Sequence, residues 1–419
     1  MSKIHKRMAN LMLPFFFVYK LTILLQVFAL KKYKNFGGVM NKNVAIIYGG
    51  ESTEHDVSVI TAMQIFKRYK TDKYNLFLLY ITRDGKWLIG KQLEDFKIYK
   101  NKTFNKCTQV TMKIGDSNLY KVCRCGKLKK LLYLDFVINC CHGGSGENGD
   151  ITSFFRMSKI PISTGVSSAM AVCMDKYLTK CFLQANKIPY IKYFAIEELD
   201  WLQQQSSYLQ KAQLFGYPLV VKPSEQGSSV GVVLATDEKS FIKAVDLGFN
   251  FGERVIVEQA IINKREFNCC LIRTREGIVA SKIEEPKSEK IVIDFSAKYL
   301  SGGASKKGGT KLSAVSLAGM QSSEREFPAK ISKELENKIV KYSKQLYKSL
   351  NLCGVVRIDY IYDTDTKKLY LGEANTIPGS LGYYFFDTES YLENIISGSE
   401  KFWQEIYDKI SQTPNAKIF

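Results

Sequence analysis

The sequence predicts a mixed fold: an α/β domain of the doubly wound kind, followed by two α+β lobes. Three observations carry that reading. Residues 44–48 are a short apolar run ending in Gly49-Gly50, followed by a helical pattern over about 56–68 and a second apolar run over 76–81. Strand, glycine turn, helix, strand is how a doubly wound domain begins. Further on, strands over 218–222, 231–235 and 254–258 surround a helix near 237–247 and make a smaller α+β unit. Last, strands over 266–273, 278–284, 355–362 and 368–373 accompany a long helix over 333–350.

The remaining elements follow in order. Residues 83–130 are polar and read as an irregular elaboration of the first domain. A buried strand is expected over 132–141, again ending in a glycine turn. A helical region spans 167–186 and is closed by Pro189, and another helix runs to about 214. The Gly/Ser/Lys composition of 301–311 reads as a mobile loop. No internal repeat is visible.

Composition narrows the function classes. The 419 residues allow two to four domains, and 45% apolar with 24% charged residues is a globular balance. The net charge of +19 asks for an anionic partner. No RNP-type aromatic motif, zinc-finger spacing or arginine-rich block points to nucleic acid. Residues 1–39 hold seven Lys and Arg and no acid. They are read as a segment preceding a start at Met40, with a membrane anchor as the competing reading. Pro14, Lys20 and Gln26 interrupt the apolar run that an anchor would need. The ten cysteines, several in adjacent pairs, read as buried thiols of a reducing compartment rather than a disulfide frame.

Four clusters can carry chemistry. Gly49 to Ser58, with Glu54 and His55, lies where a strand ends and a helix begins, a place where open α/β sheets bind ligands; Ser52 or Asp56 could instead merely cap the helix. His142-Gly143-Gly144-Ser145-Gly146-Glu147 lets backbone approach a ligand closely. Lys222 ends a strand and leads into Ser224-Glu225-Gln226-Gly227-Ser228-Ser229, a cradle for an anion or a flexible turn. Arg357 and Asp359 share one face of a strand, and Glu373 and Asn375 share a face of the next. Three oxygen ligands there suit Mg²⁺; a cross-strand salt bridge is the plainer alternative.

In this order the clusters resemble the ATP-grasp superfamily, and specifically the D-alanine–D-alanine ligases, over about 44–379. The resemblance implies a dinucleotide-fold-like N-terminal domain (40–164), an ATP-grasp small lobe (165–258) and a C-terminal lobe (259–419). It implies ATP and Mg²⁺ (two ions, replaceable by Mn²⁺), D-alanine as substrate, a cytoplasmic enzyme of peptidoglycan precursor synthesis, and a homodimer. It also implies roles. Glu54 and His142 bind the first substrate, and Glu147 orients groups around it. Lys176 and Lys222 hold the ATP phosphates, with Ser228, Ser229 and Lys298 closing over them. Glu258 and Glu266 face the adenosine. Asp359, Glu373 and Asn375 bind metal, Arg357 and the Gly379 N–H stabilise the oxyanion, and Tyr299 locks the closing loop and favours an amine acceptor.

Two departures fall around the acceptor subsite. The family's Ser-Leu pair is replaced by Tyr384 and Phe385, and the segment after Tyr299 is long. Ser380, or a lysine among Lys306, Lys307 and Lys311, is the expected substitute contact. The alternative function is therefore the same carboxylate–amine ligation with a different second substrate.

Overall fold

A computed structural model describes residues 41–69, 71–227, 229–287, 325–386 and 388–412. Residues 1–39, Ser228, Lys298, Tyr299 and the 301–311 segment with its three lysines lie outside the described residues.

The first sheet has seven strands in the order β6-β5-β4-β3-β2-β1-β7. β1 (Lys42–Gly49) pairs in parallel with β2 (Tyr74–Ile81) and β7 (Phe136–Asn139). The crossover between β1 and β2 is α1 (His55–Arg68), whose Val59, Ala62, Met63 and Ile65 are buried against the sheet. Its N-cap is Glu54 with no side-chain cap, so neither Ser52 nor Asp56 fills that role.

The expected irregular stretch over 83–130 is in fact ordered sheet. β3 (Trp87–Ile89), the short helix α2 (Lys97–Asn101), β4 (Thr108–Met112), β5 (Asn118–Val122) and β6 (Leu128–Tyr133) continue antiparallel from the edge of β2. These strands are short and exposed on one face, so their apolar alternation is faint. The single strand expected over 132–141 is divided into β6 and β7, which belong to opposite edges of the sheet. Asp135 marks the break, its N–H bonded to the Asn43 carbonyl at 3.0 Å.

After α3 (Asp150–Met157), the helix expected over 167–186 is two: α4 (Ser167–Met174) and α5 (Lys176–Ala185). Asp175 breaks them with extended ψ 114°, and its carboxylate caps α5 by accepting the Tyr177 and Leu178 N–H groups. Asp is a better N-cap than helix interior, which the sequence reading passed over.

The second sheet, β10-β9-β11-β8, joins β8 (Tyr193–Glu197), β9 (Leu219–Pro223), β10 (Val233–Ala235) and β11 (Arg254–Gln259), all antiparallel. The helices α6 (Glu198–Phe215) and α7 (Glu238–Phe249) pack on it through Trp201, Ala212, Phe241 and Val245. The third sheet runs β14-β13-β12-β15-β16, from β12 (Lys264–Arg273), β13 (Ile278–Pro286), β14 (Arg325–Glu326), β15 (Val355–Asp363) and β16 (Lys368–Asn375). One of its faces buries Phe267, Cys269, Ile358, Tyr360 and Leu371 against α8 (Lys333–Ser349). The C-terminal helix α9 (Tyr391–Gln412) returns to the first sheet, where Trp403 packs among Val137 and Phe155 and donates to the Ile162 carbonyl at 2.8 Å.

The cysteines are free thiols, and Cys140, Cys141, Cys173, Cys269, Cys270 and Cys353 are buried. Among the described residues, no helix is long and apolar enough to cross a membrane.

Candidate active site

The third sheet turns its other face toward the site. Strand alternation puts Phe267, Cys269, Ile358 and Tyr360 in the core and leaves Asn268, Cys270, Arg357 and Asp359 on the opposite face. On β16, Leu369 and Leu371 face the core, so strict alternation would bury Glu373 as well. A bulge prevents that: Asp359 pairs with Glu373, but Tyr360 pairs with Leu371, so Gly372 is the extra residue. An added Cβ at Gly372 would lie 3.2 Å from the Asp359 carbonyl. The bulge brings Glu373 and Asn375 opposite Asp359 and Arg357.

A polar row therefore crosses four strands in register: Glu284, Asn268, Asp359, Glu373. Arg357 donates two bonds to Asp359, both 2.7 Å, and Asn375 Nδ2 donates to the same carboxylate at 3.0 Å. This is a pair along one strand, not the cross-strand bridge that was the plainer alternative. Among the described residues no three His, Cys, Asp or Glu side chains form a metal-binding group. The oxygen set Asp359, Glu373 and the Asn375 amide suits a hard cation, which would share Asp359 with Arg357.

The second sheet is the cationic counterpart. Glu258 on β11 is held between Lys222 and Lys180, each 2.6 Å away. Burial raises the Glu258 pKa, but Lys222 and Lys180 outweigh it and bring it down to about 2. Burial alone would lower Lys222; Glu258 and Glu373 hold it above the usual lysine range, so it stays charged. Lys180 is nearly sealed, with 2% of its side chain exposed.

Lys176, the first residue of α5, stands where the two faces meet. Its ammonium donates to the Gln226 carbonyl, and its N–H bonds the Ser224 carbonyl at 2.9 Å. Burial lowers its pKa, Glu373 on the third sheet raises it, and Lys222 lowers it again. The Lys222 loop is thus tied to α5, and Ser229 within it adopts the left-handed φ of 57°.

The turns of the first sheet close the site. Glu54 is pressed between two backbones: an added Cβ at Gly143 would lie 2.9 Å from its Oε2, and one at Gly227 would lie 2.8 Å from the same atom. A side chain at either position would have to displace the Glu54 carboxylate. Glu147 accepts the Gly143 N–H at 3.1 Å and the Ile377 N–H at 3.3 Å. Burial first, and then the nearby Glu54 charge, raise the Glu147 pKa to about 7, against the pull of the Gly143 bond. His142 is buried, its N–H bonded to Ser58 Oγ at 2.8 Å and its Nε2 2.9 Å from Thr61 Oγ1. Burial, then Arg357, lower its pKa to about 4, so it is neutral at pH 7. Thr61 also accepts the Ser380 N–H at 3.2 Å, joining α1 to the turn after β16. In that turn Ser380, Leu381 and Gly382 all take positive φ, which aims the backbone following Gly379 back toward α1.

The model for the D-ala D-ala ligase N-terminus matches residues 43–165, and that for the D-ala D-ala ligase C-terminus matches 182–389. A D-alanine–D-alanine ligase of Thermosipho africanus is 31% identical over 361 residues, covering 85% of this chain and 92% of that protein. The chain belongs to the D-alanine–D-alanine ligase family. The ligase of Clostridium acetobutylicum is 27% identical, covering 88% of this chain and 97% of its own length. Among solved structures, the D-alanine–D-alanine ligase of Coxiella burnetii has a TM-score of 0.70 at 22% identity, covering 88% of this chain and 97% of that one. The VanG D-Ala:D-Ser ligase of Enterococcus faecalis has a TM-score of 0.66 at 23% identity, covering 88% and 99%. The fold is the ATP-grasp fold of this ligase family, and the protein is a ligase.

Within that ligase fold, Glu54, His142, Glu147, Lys176, Lys222, Glu258, Arg357, Asp359, Glu373, Asn375 and Ser380 are brought together. Glu266, with 38% of its side chain exposed, pairs with Lys264 at 2.5 Å. Sequence reasoning placed Ser58 at the end of the first cluster but missed Thr61, Lys180, Asn268, Glu284 and Arg325. For Lys180 a signal was available: it lies one helical turn after Lys176, so the two lysines share a helix face. The others contact the site only through pairing between distant strands and loops.

Proposed function

We propose that this ligase joins two D-alanines into D-alanyl-D-alanine at the expense of ATP, in the cytoplasm, for peptidoglycan precursors. The observation that carries the proposal is the meeting at Lys176 of a cationic face (Lys222, Lys180) and an oxygen-rich face (Asp359, Glu373, Asn375). A nucleotide triphosphate with its metal needs both signs of charge in one cleft.

The first D-alanine's carboxylate oxygen attacks the γ-phosphorus and ADP leaves. The second D-alanine's amine nitrogen then attacks the carbonyl carbon, loses its proton, and phosphate departs as the peptide bond forms. Lys176 and Lys222 hold the phosphates, with Ser228, Ser229 and Lys298 closing over them. Glu258 fixes Lys222 from behind while bordering the adenosine, with Glu266 at the ribose. Glu54 and His142 hold the first substrate, His142 as a neutral ring, and Glu147 orients the loop around it. Arg357 and the Gly379 N–H face the oxyanion, and Tyr299 locks the closing loop. Asp359, Glu373 and Asn375 would hold Mg²⁺ as two ions; when bound, the metal offsets repulsion between carboxylate and γ-phosphate. The working divisions are 40–164, 165–258 and 259–419, and the assembly is a homodimer.

A second reading keeps the mechanism and changes the acceptor. It is favoured by the burial of Tyr384 and Phe385 where the family carries Ser-Leu. Incubation with ATP, Mg²⁺ and D-alanine alone, against D-alanine mixed with other amino acids, separates the two. Phosphate release confined to the mixtures selects the second reading.

A further inference from the structure

On the second sheet, Phe194, Val221 and Val257 lie opposite one another on three neighbouring strands and face the core with α6 and α7. Alternation puts Tyr193, Lys222 and Glu258 on the other face. Lys180 reaches that face from α5, with its ammonium 5.9 Å from the Tyr193 ring centroid. Tyr193 is the cross-strand partner of Glu258, so ring and carboxylate both lie against the same buried ammonium.

The two lysines on Glu258 are not equivalent. Lys222 takes Oε2 and keeps 21% of its side chain exposed, whereas Lys180 takes Oε1 and keeps 2%. Each has its own oxygen, so one can shift without displacing the other. Of the two, Lys222 is the one open to a ligand in the cleft. The Lys180 ammonium has no acceptor in hydrogen-bonding alignment among the described residues, so it acts on Glu258 chiefly as a charge. Stability does not require it, since apolar residues of similar volume often replace buried ion pairs without loss. A second ammonium buried on an acid that already has one therefore needs a functional reason.

The reason lies in what Lys222 does in the proposed function. To hold a phosphate, it must share its ammonium between Glu258 and the nucleotide. The Glu258 side chain is 4% exposed, too deep for solvent ions to make up the charge that Lys222 then gives away. With Lys222 as its sole partner, the acid would hold the lysine back, because a buried charge left uncompensated is strongly unfavourable. We propose that Lys180 is a positioning residue for nucleotide binding: it stays on Glu258 as a fixed counter-charge and so leaves Lys222 available to the phosphates. The proposal rests on the reading of Lys222 as a phosphate contact.

The test is calorimetric titration of the full chain with ADP and Mg²⁺, a binding measurement independent of turnover. Lys180→Met, which keeps a long side chain without the charge, should weaken ADP binding by about 10- to 100-fold, the range of one charge-assisted contact. KM for D-alanine at saturating ATP should stay as it was. The same substitution made together with Glu258→Gln should bind ADP as well as Glu258→Gln alone, because no acid then remains to hold Lys222 back. A merely structural Lys180 would carry its penalty into both backgrounds. If Lys180→Met melts like the unaltered protein and binds ADP as tightly, or if the loss is equal in both backgrounds, the assignment is wrong. If Lys180→Met does not fold, the comparison made with Glu258→Gln decides: equal affinities support the assignment and a further loss overturns it. If the unaltered protein binds neither ADP nor ATP with Mg²⁺, the phosphate reading of Lys222 falls, and this proposal with it.

Discussion

The second and third sheets both present charged faces to Lys176, but they balance their charges in opposite ways. On the second sheet one carboxylate, Glu258, serves two ammonium groups, so the face is net positive and the acid is driven far into its ionised form. On the third, Asp359 and Glu373 stand beside Arg357, so acids outnumber bases around that pair. A face with a surplus ammonium is ready for phosphate; a face with surplus carboxylate is ready for a cation. Neither surplus is stable alone in a low dielectric, and each face is completed by what the other attracts.

The comparison can be broken first at Lys222. Lys222→Ala should cut phosphate release by about 100- to 1,000-fold, the usual cost of removing one aimed transition-state contact. The fold should survive, because Glu258 keeps Lys180. A steady-state assay beside a thermal melt checks both halves. Glu258→Gln should do the reverse damage. It strands Lys180 and Lys222 without a counter-charge, at about 3–5 kcal/mol by the measure of broken buried pairs, visible in urea unfolding. Asp359→Asn should cost less stability, because burial already raises the Asp359 pKa against the Arg357 pull. If the two acid-to-amide changes destabilise equally, the contrast between the faces is false.

The first sheet supplies a pH-dependent effect. Glu147 is raised to about 7, so the folded chain holds its proton more tightly than the unfolded chain does. Its contribution is fully present below the ordinary carboxylate range and is lost as pH rises through about 7. His142 acts in the opposite sense. Lowered to about 4, its contribution is complete above the ordinary histidine range and lost as pH falls toward 4. Glu147→Gln should therefore lose less stability between pH 5 and 8 than the unaltered protein, as read by melts across that window. The smallest effect belongs to Gly372→Ala. The Asp359 carbonyl must yield a few tenths of an ångström, for about 1 kcal/mol, and the bulge should survive.

Legibility followed the range of the contacts. Arg357, Asp359, Glu373 and Asn375 were visible because strand alternation is a local rule, although the Gly372 bulge that places the last two was not. Lys222 and Glu54 were visible because each lies next to small residues at a strand end. The ordered 83–130 stretch was not, since its strands are short, half-exposed and polar. The break at Asp175 was hidden by continuous helical periodicity on both sides. Thr61, Glu284 and Arg325 become site residues only through partners 16 to 319 positions away, which no local pattern records.

In the proposed function these faces serve the ligation of two D-alanines. Purified protein given ATP, Mg²⁺ and D-alanine as the only amino acid tests it directly, with phosphate and product mass measured together. One phosphate is expected for each D-alanyl-D-alanine formed. Phosphate without that dipeptide, or no phosphate until a different amino acid is supplied, would contradict it.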